Sequence, residues 1–127
     1  SKALKINVLS FGFKYGLPVD ADLVADARFI ANPHWKDELR AKTGNDDEVR
    51  AYVLGQPGVE DFLGNYVASL SSVLAGYRNE NKRFATIAIG CTGGKHRSVA
   101  MANEIARRLE KEADVTISVQ HRDLGRE

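Results

Sequence analysis

The chain has 127 residues, a formal net charge of +1 and a single cysteine. That length suits one domain able to bury a core without staples, and the near-balanced charge excludes a whole-molecule field directed at nucleic acid or an anionic membrane. One cysteine excludes an internal disulfide and fits a reducing, cytoplasmic setting; no apolar run approaches a membrane span and no secretory signal is read at the start.

In chain order, Leu4, Ile6, Val8 and Leu9 mark a first strand over Leu4 to Phe11, so early that the chain reads as a piece of a longer protein with Ser1 an added residue. The strand runs into Ser10-Phe11-Gly12-Phe13-Lys14-Tyr15-Gly16. This turn is either packed by its own aromatics or is a ligand loop at a strand's carboxyl end. Pro18 and Asp20 suit the start of a short helical turn reaching toward Ala27. Asp26 to Ile30 reads as a short second strand, ended at Asn32-Pro33 because proline holds the residue before it extended. Asp26, Arg28, His34 and Trp35 crowd that strand and its exit, which makes them a candidate polar site.

Residues 40–45 read as loop. Asn45 or Asp46 caps a helix through Val49, Tyr52 and Val53, which Gly55, Pro57 and Gly58 end. The next helix is the longest. Val59, Phe62, Leu63, Tyr66, Val67, Leu70, Val73, Leu74 and Tyr77 recur at helical spacing over a span of about 30 Å. That stripe reads as core, long enough to cross a sheet or to face a second copy of the chain.

Phe84 to Ile89 is an apolar run without a breaker, which predicts a buried strand. Val99, Ala102, Ile105, Ala106 and Leu109 then predict a helix, with Glu104, Arg107, Arg108 and Lys111 on its solvent face. Val115, Ile117 and Val119 alternate with Thr116, Ser118 and Gln120 in a last, half-buried strand that delivers His121-Arg122-Asp123. Strands alternating with helices predict a single α/β domain over residues 1–127. Its sheet is mainly parallel, of about four or more strands, and covered by helices.

The chemistry concentrates in Gly90-Cys91-Thr92-Gly93-Gly94-Lys95-His96-Arg97-Ser98, between the apolar strand and its helix. Helix amino termini leave N–H groups unpaired and carry partial positive charge. Adjacent glycines let backbone wrap a ligand, and Lys95, His96 and Arg97 add donors. The expected ligand is an anion, most simply a phosphate. The loop is not a Walker A motif. Counting back from Gly94-Lys95 puts Ile89 where the first glycine belongs, and His96 where the magnesium-binding hydroxyl belongs.

Cys91 to Arg97 and Ser98 do match C-x5-R-S, which resembles the loop of protein tyrosine phosphatases. There a thiolate attacks phosphorus while the arginine grips two phosphate oxygens. In that reading Cys91 and Arg97 are catalytic. The phosphatase pattern also wants His before the cysteine, where Gly90 stands, and an aspartic acid that only Asp20, Asp22 or Asp26 could supply. No catalytic residue is assigned otherwise, because the same parts serve plain phosphate binding, and no metal or cofactor is expected.

Four stretches together resemble the C-terminal domain of the RapZ/YvcJ family. They are residues 10–16, Asp26-Ala27-Arg28-Phe29 with Asn32-Pro33-His34-Trp35, residues 90–99, and His121-Arg122. The resemblance implies that a P-loop domain with ATPase and GTPase activity precedes this one in the full-length protein. It implies a sensor of amino-sugar metabolites, binding glucosamine-6-phosphate in some members, with UDP-N-acetylglucosamine the other ligand linked to the group. It also implies assembly into a homo-oligomer and, in some members, an RNA-adapter role. By position, the phosphate pocket would be Cys91, Thr92, Gly93, Gly94, Lys95, His96, Arg97 and Ser98. The sugar would fall to Asp26, Arg28 and His34, with Lys14 at the rim and Arg122 nearby. RNA-binding members end in a strongly basic tail, whereas residues 122–127 here are of mixed sign, which argues against RNA.

Overall fold

The computed structural model describes residues 3–126; Ser1, and Glu127 of the mixed-sign end, lie outside them. Strands β1 (Leu4–Gly12), β2 (Leu23–Asp26), β3 (Phe84–Cys91) and β4 (Val115–His121) form one sheet in the order β2-β3-β1-β4, every pair parallel. Between β2 and β3 lie a single turn, α1 (Asp37–Arg40), then α2 (Asp47–Leu54) and α3 (Val59–Asn79); α4 (Arg97–Leu109) joins β3 to β4.

The strand order dictates where the helices go. Crossovers between parallel strands are right-handed. From β2 to β3 and from β3 to β4 the chain steps across the sheet in one direction, so both helical connections fall on the same face. From β1 to β2 it steps the other way, and residues 13–22 run over the opposite face. The packing agrees. Leu4, Ile6 and Val8 of β1 and Ala85, Ile87 and Ile89 of β3 join Leu63, Leu70, Leu74, Met101 and Ile105 in the main core. Leu9, Phe11 and Ala88 point the other way and cluster with Phe13 and Ala21. Each fully buried leucine or isoleucine of the main core contributes about 1.5–3 kcal/mol.

Adjacent strands β1 and β3 therefore send their connections to opposite faces. Their carboxyl ends open the crevice in which α/β sheets hold ligands. The register sets Gly12 opposite Cys91, so the turn after β1 and the loop after β3 lie side by side.

Four expectations need correction. The second strand is Leu23–Asp26, not Asp26 to Ile30; pairing with β3 decides it, and Asp22 secures the start by accepting from the Thr86 N–H at 2.8 Å. That strand also replaces the helical turn expected toward Ala27. Glu104 does not face solvent. It is 3% exposed because α2 lies across that face of α4, and Arg50, Arg107 and Arg108 all bond its carboxylate. These hydrogen bonds, Arg107 first, hold its pKa at about 2. Asp46 is the N-cap of α2 by position, but its carboxylate turns back to the Thr43 N–H.

Candidate functional site

Cys91 closes β3, residues 92–96 make the turn, and α4 opens at Arg97 with His96 as its N-cap. Around this turn is a cavity of about 340 Å³. The β3–α4 turn gives it Cys91, Thr92, Gly93, Lys95, His96 and Arg97; the turn after β1 gives Lys14; the segment after β2 gives Asn32, His34 and Arg40. Lys14, Arg40, Lys95 and Arg97 are cations, and no lining residue is a carboxylate. A wall of that composition favours an anion, with Arg40 already paired to Asp37 at 2.8 Å.

Arg97 is only 5% exposed. Its Nη1 donates to the carbonyls of Arg28 at 3.3 Å and Ile30 at 3.0 Å. Among the described residues Nη2 reaches only Thr92 Oγ1, at 3.4 Å, and Nε is buried with no partner. Nε and Nη2 form the guanidinium edge that forks a carboxylate or phosphate. Arg28 uses that same edge on Asp26, Nε to Oδ1 at 2.9 Å and Nη2 to Oδ2 at 2.7 Å. In Arg97 the backbone has taken the other side of the fork and left this edge free for an acceptor.

His96 is buried, and its Nε2–H donates to the Arg40 carbonyl at 3.2 Å. Burial, aided by neighbouring Lys95, pushes its pKa below the ordinary histidine value, which favours the neutral ring. Beneath the turn, the Cys91 thiol donates to Ser98 Oγ at 3.1 Å, and the Ser98 N–H donates back to Sγ at 3.4 Å. Gly90 precedes Cys91 because a Cβ there would lie 2.5 Å from Phe11 Cζ. The histidine that phosphatases carry at this point does not fit.

The sequence pointed to Lys14, His34, Cys91, Thr92, Gly93, Lys95, His96 and Arg97, and these share the cavity wall. Gly94 and Ser98 are buried beside it. Asp26 and Arg28 lie outside the lining, locked in their mutual fork, with the Arg28 guanidinium 3.8 Å from the centre of the Phe13 ring. The Arg28 hydrogen bond keeps the Asp26 carboxyl below its ordinary pKa. Arg122 is not brought into the cavity. Its Nε and Nη2 bond Asp123, Nη2 also donates to the Gly16 carbonyl at 2.6 Å, and it borders a hollow on the opposite sheet face with Asn7, Leu9 and Gln120.

A family model for the RapZ C-terminal domain matches residues 4–125. The chain belongs to that family. A "nucleotide-binding protein" of Paenarthrobacter aurescens is 62% identical over 124 residues, covering 98% of this chain and 40% of the relative. Similarly named proteins of Rhodococcus erythropolis and Mycobacterium avium are 59% and 60% identical, each over 100% of this chain and over 42% and 44% of their own length. The chain thus spans about two fifths of the curated relatives it matches. Among the described residues, no helix is long and apolar enough to cross a membrane.

This RapZ-type domain also uses residues that sequence reasoning passed over. Asn32 Oδ1 accepts from the His34 N–H at 3.1 Å and so fixes the turn that presents His34; the Asn-Pro pair was the available signal. Arg40 donates from Nε to the His34 carbonyl at 2.8 Å while its own carbonyl receives His96, tying two walls of the cavity together. Nothing in the sequence around Arg40 marks that role.

Proposed function

We propose that this domain binds a phosphorylated amino sugar, or its UDP derivative, in the cavity at the β3–α4 turn. Its occupancy would be signalled to the rest of a longer nucleotide-binding protein. The observation that carries the reading is the free Nε–Nη2 edge of buried Arg97 in a cavity lined by cations. A phosphate monoester supplies two oxygens to that edge and further oxygens to Lys95, Lys14 and the backbone of the turn. In this reading the sugar meets His34 in the wall, with Asp26 and Arg28, outside the lining, as its further candidate contacts. A neutral His96 contributes shape and support rather than charge. The relatives' shared name and greater length fit a regulatory part of a larger protein that handles nucleotides through its preceding domain, where ATP or GTP would bind. A self-associating assembly of such chains belongs to the same reading. The experiment is calorimetric titration of the wild type and of Arg97 variants with glucosamine-6-phosphate and UDP-N-acetylglucosamine.

One observation favours a second reading. The Ser98 N–H and hydroxyl around Cys91 Sγ are the partners that would stabilise a thiolate, as a cysteine-dependent phosphatase requires. Against it, the cavity wall contains no carboxylic acid to protonate a leaving group. RNA recognition is a third reading; the chain's formal net charge of +1 gives it no whole-molecule basic field.

A further inference from the structure

We propose that Asp123 is a positioning residue for the anion loop: its buried carboxylate holds the Gly12 amide, and Gly12 in turn seats the Gly93–Gly94 backbone against which the ligand would rest. This rests on the phosphate-binding reading of the cavity.

Asp123 follows β4 and is 0% exposed. Its Oδ2 accepts from the Gly12 N–H at 2.7 Å, a short, charge-assisted bond between elements 111 residues apart in sequence. Arg122 donates Nε to Oδ1 at 3.1 Å and Nη2 to Oδ2 at 2.9 Å, and Arg126 Nη1 lies 3.4 Å from Oδ1. These partners offset the cost of burying the charge. They also explain why Arg122 is unavailable to a ligand.

Gly12 passes the constraint on. A Cβ there would lie 2.5 Å from the Gly93 carbonyl carbon and 2.9 Å from the Gly94 nitrogen. From the other side, Gly94 has φ +78°, and a Cβ on it would lie 2.7 Å from the Gly12 nitrogen and 3.0 Å from Asp123 Cβ. The three residues meet backbone to backbone, with no side chain between them to absorb a shift. The Lys14 N–H, which donates to the Thr92 carbonyl at 3.2 Å, continues the same seam along the loop. An anion site built from main-chain amides works only if those amides are held still. The carboxylate on the third strand end supplies that hold without touching the ligand.

The test uses the 127-residue chain and three variants, Asp123→Ala, Asp123→Asn and Arg122→Gln. Amide NMR reads the loop without ligand, titration with inorganic phosphate and glucosamine-6-phosphate reads the site, and thermal melting reads the fold. Asp123→Ala should displace the Gly12, Gly93 and Gly94 resonances and weaken both ligands by the same factor, about tenfold. Asp123→Asn keeps only a weaker, uncharged acceptor for Gly12 and should recover about half of that loss on a logarithmic scale, with a smaller displacement of the same resonances. Arg122→Gln should melt earlier but keep wild-type affinity. If Asp123→Ala does not fold, Asp123→Asn against Arg122→Gln decides. Equal affinities there, or Gly93 and Gly94 resonances unmoved in either Asp123 variant, overturn the proposal. So does a folded Asp123→Ala that binds phosphate like the wild type, which would leave Asp123 a purely structural clamp. Failure of the wild type to bind any phosphate is a different result, and it overturns the phosphate reading itself.

Discussion

Replacing Arg97 with alanine should weaken two things by separable amounts. In the folded domain Nη1 satisfies the carbonyls of Ile30 and Arg28, at 3.0 and 3.3 Å. Removing it leaves a buried carbonyl without a donor, which costs about 1–3 kcal/mol of stability. A domain of this size should then melt roughly 3–8 °C lower for each kcal/mol lost. The Nε–Nη2 edge makes no firm bond to protein, so its loss should appear in binding alone. Two charge-assisted bonds to a phosphate are worth about 1.5–3 kcal/mol, a loss of roughly tenfold to more than a hundredfold in affinity. Lysine keeps the charge but has no fork, so Arg97→Lys should recover only part of either effect. Melting curves and calorimetric titration with glucosamine-6-phosphate, done below the melting range, read the two separately. A lower melting temperature with unchanged affinity would mean that Arg97 serves only the Arg28–Ile30 backbone and holds no phosphate.

The other predictions are independent of that one. His34→Ala and Asp26→Ala should narrow the affinity gap between the amino sugar phosphate and the matching plain sugar phosphate, because a site that bonds the amine rejects its absence; if the Asp26–Arg28 fork is only a brace, competition titration will find the preference unchanged and the stability lower. The wild type should not hydrolyse a generic aryl phosphate, and robust turnover lost in Cys91→Ser would favour the phosphatase reading instead. Glu104, with its pKa lowered to about 2, adds stability that is fully present above its unfolded value of 4.5 and is lost as pH falls from there toward 2. That contribution is about 1–3 kcal/mol once screening at half-exposed Arg50 and Arg107 is allowed for, so acid titration of Glu104→Gln should show a flatter stability profile over that window, and an unchanged profile would contradict the buried ion network.

The parts of this fold that rest on local pattern were legible. β1, β3 and β4 announce themselves by apolar runs or alternation, and the glycine-rich stretch between β3 and α4 marks the turn around which the cavity forms. What was not legible depends on partners distant in sequence. Leu23–Asp26 and the stretch from Asp26 to Ile30 are about equally apolar, and only pairing with β3 selects the first. Glu104 sits on the charged side of a helical pattern, which reads as solvent until Arg50 of α2 is known to lie over it. Arg122 looked like a ligand residue because it follows a strand end, but the next residue, Asp123, takes its donors. Arg40 enters the site through a carbonyl and one Nε, roles that no residue type advertises.

We propose above that the β3–α4 cavity recognises a phosphorylated amino sugar. The most direct test is calorimetric titration of the wild-type chain with glucosamine-6-phosphate, UDP-N-acetylglucosamine, inorganic phosphate and unphosphorylated glucosamine in one buffer. The expected result is saturable binding of one or both sugar phosphates at one site per chain, weaker competition by inorganic phosphate, and no measurable binding of glucosamine. Glucosamine binding as well as its 6-phosphate, or no binding by either phosphorylated ligand, would contradict it.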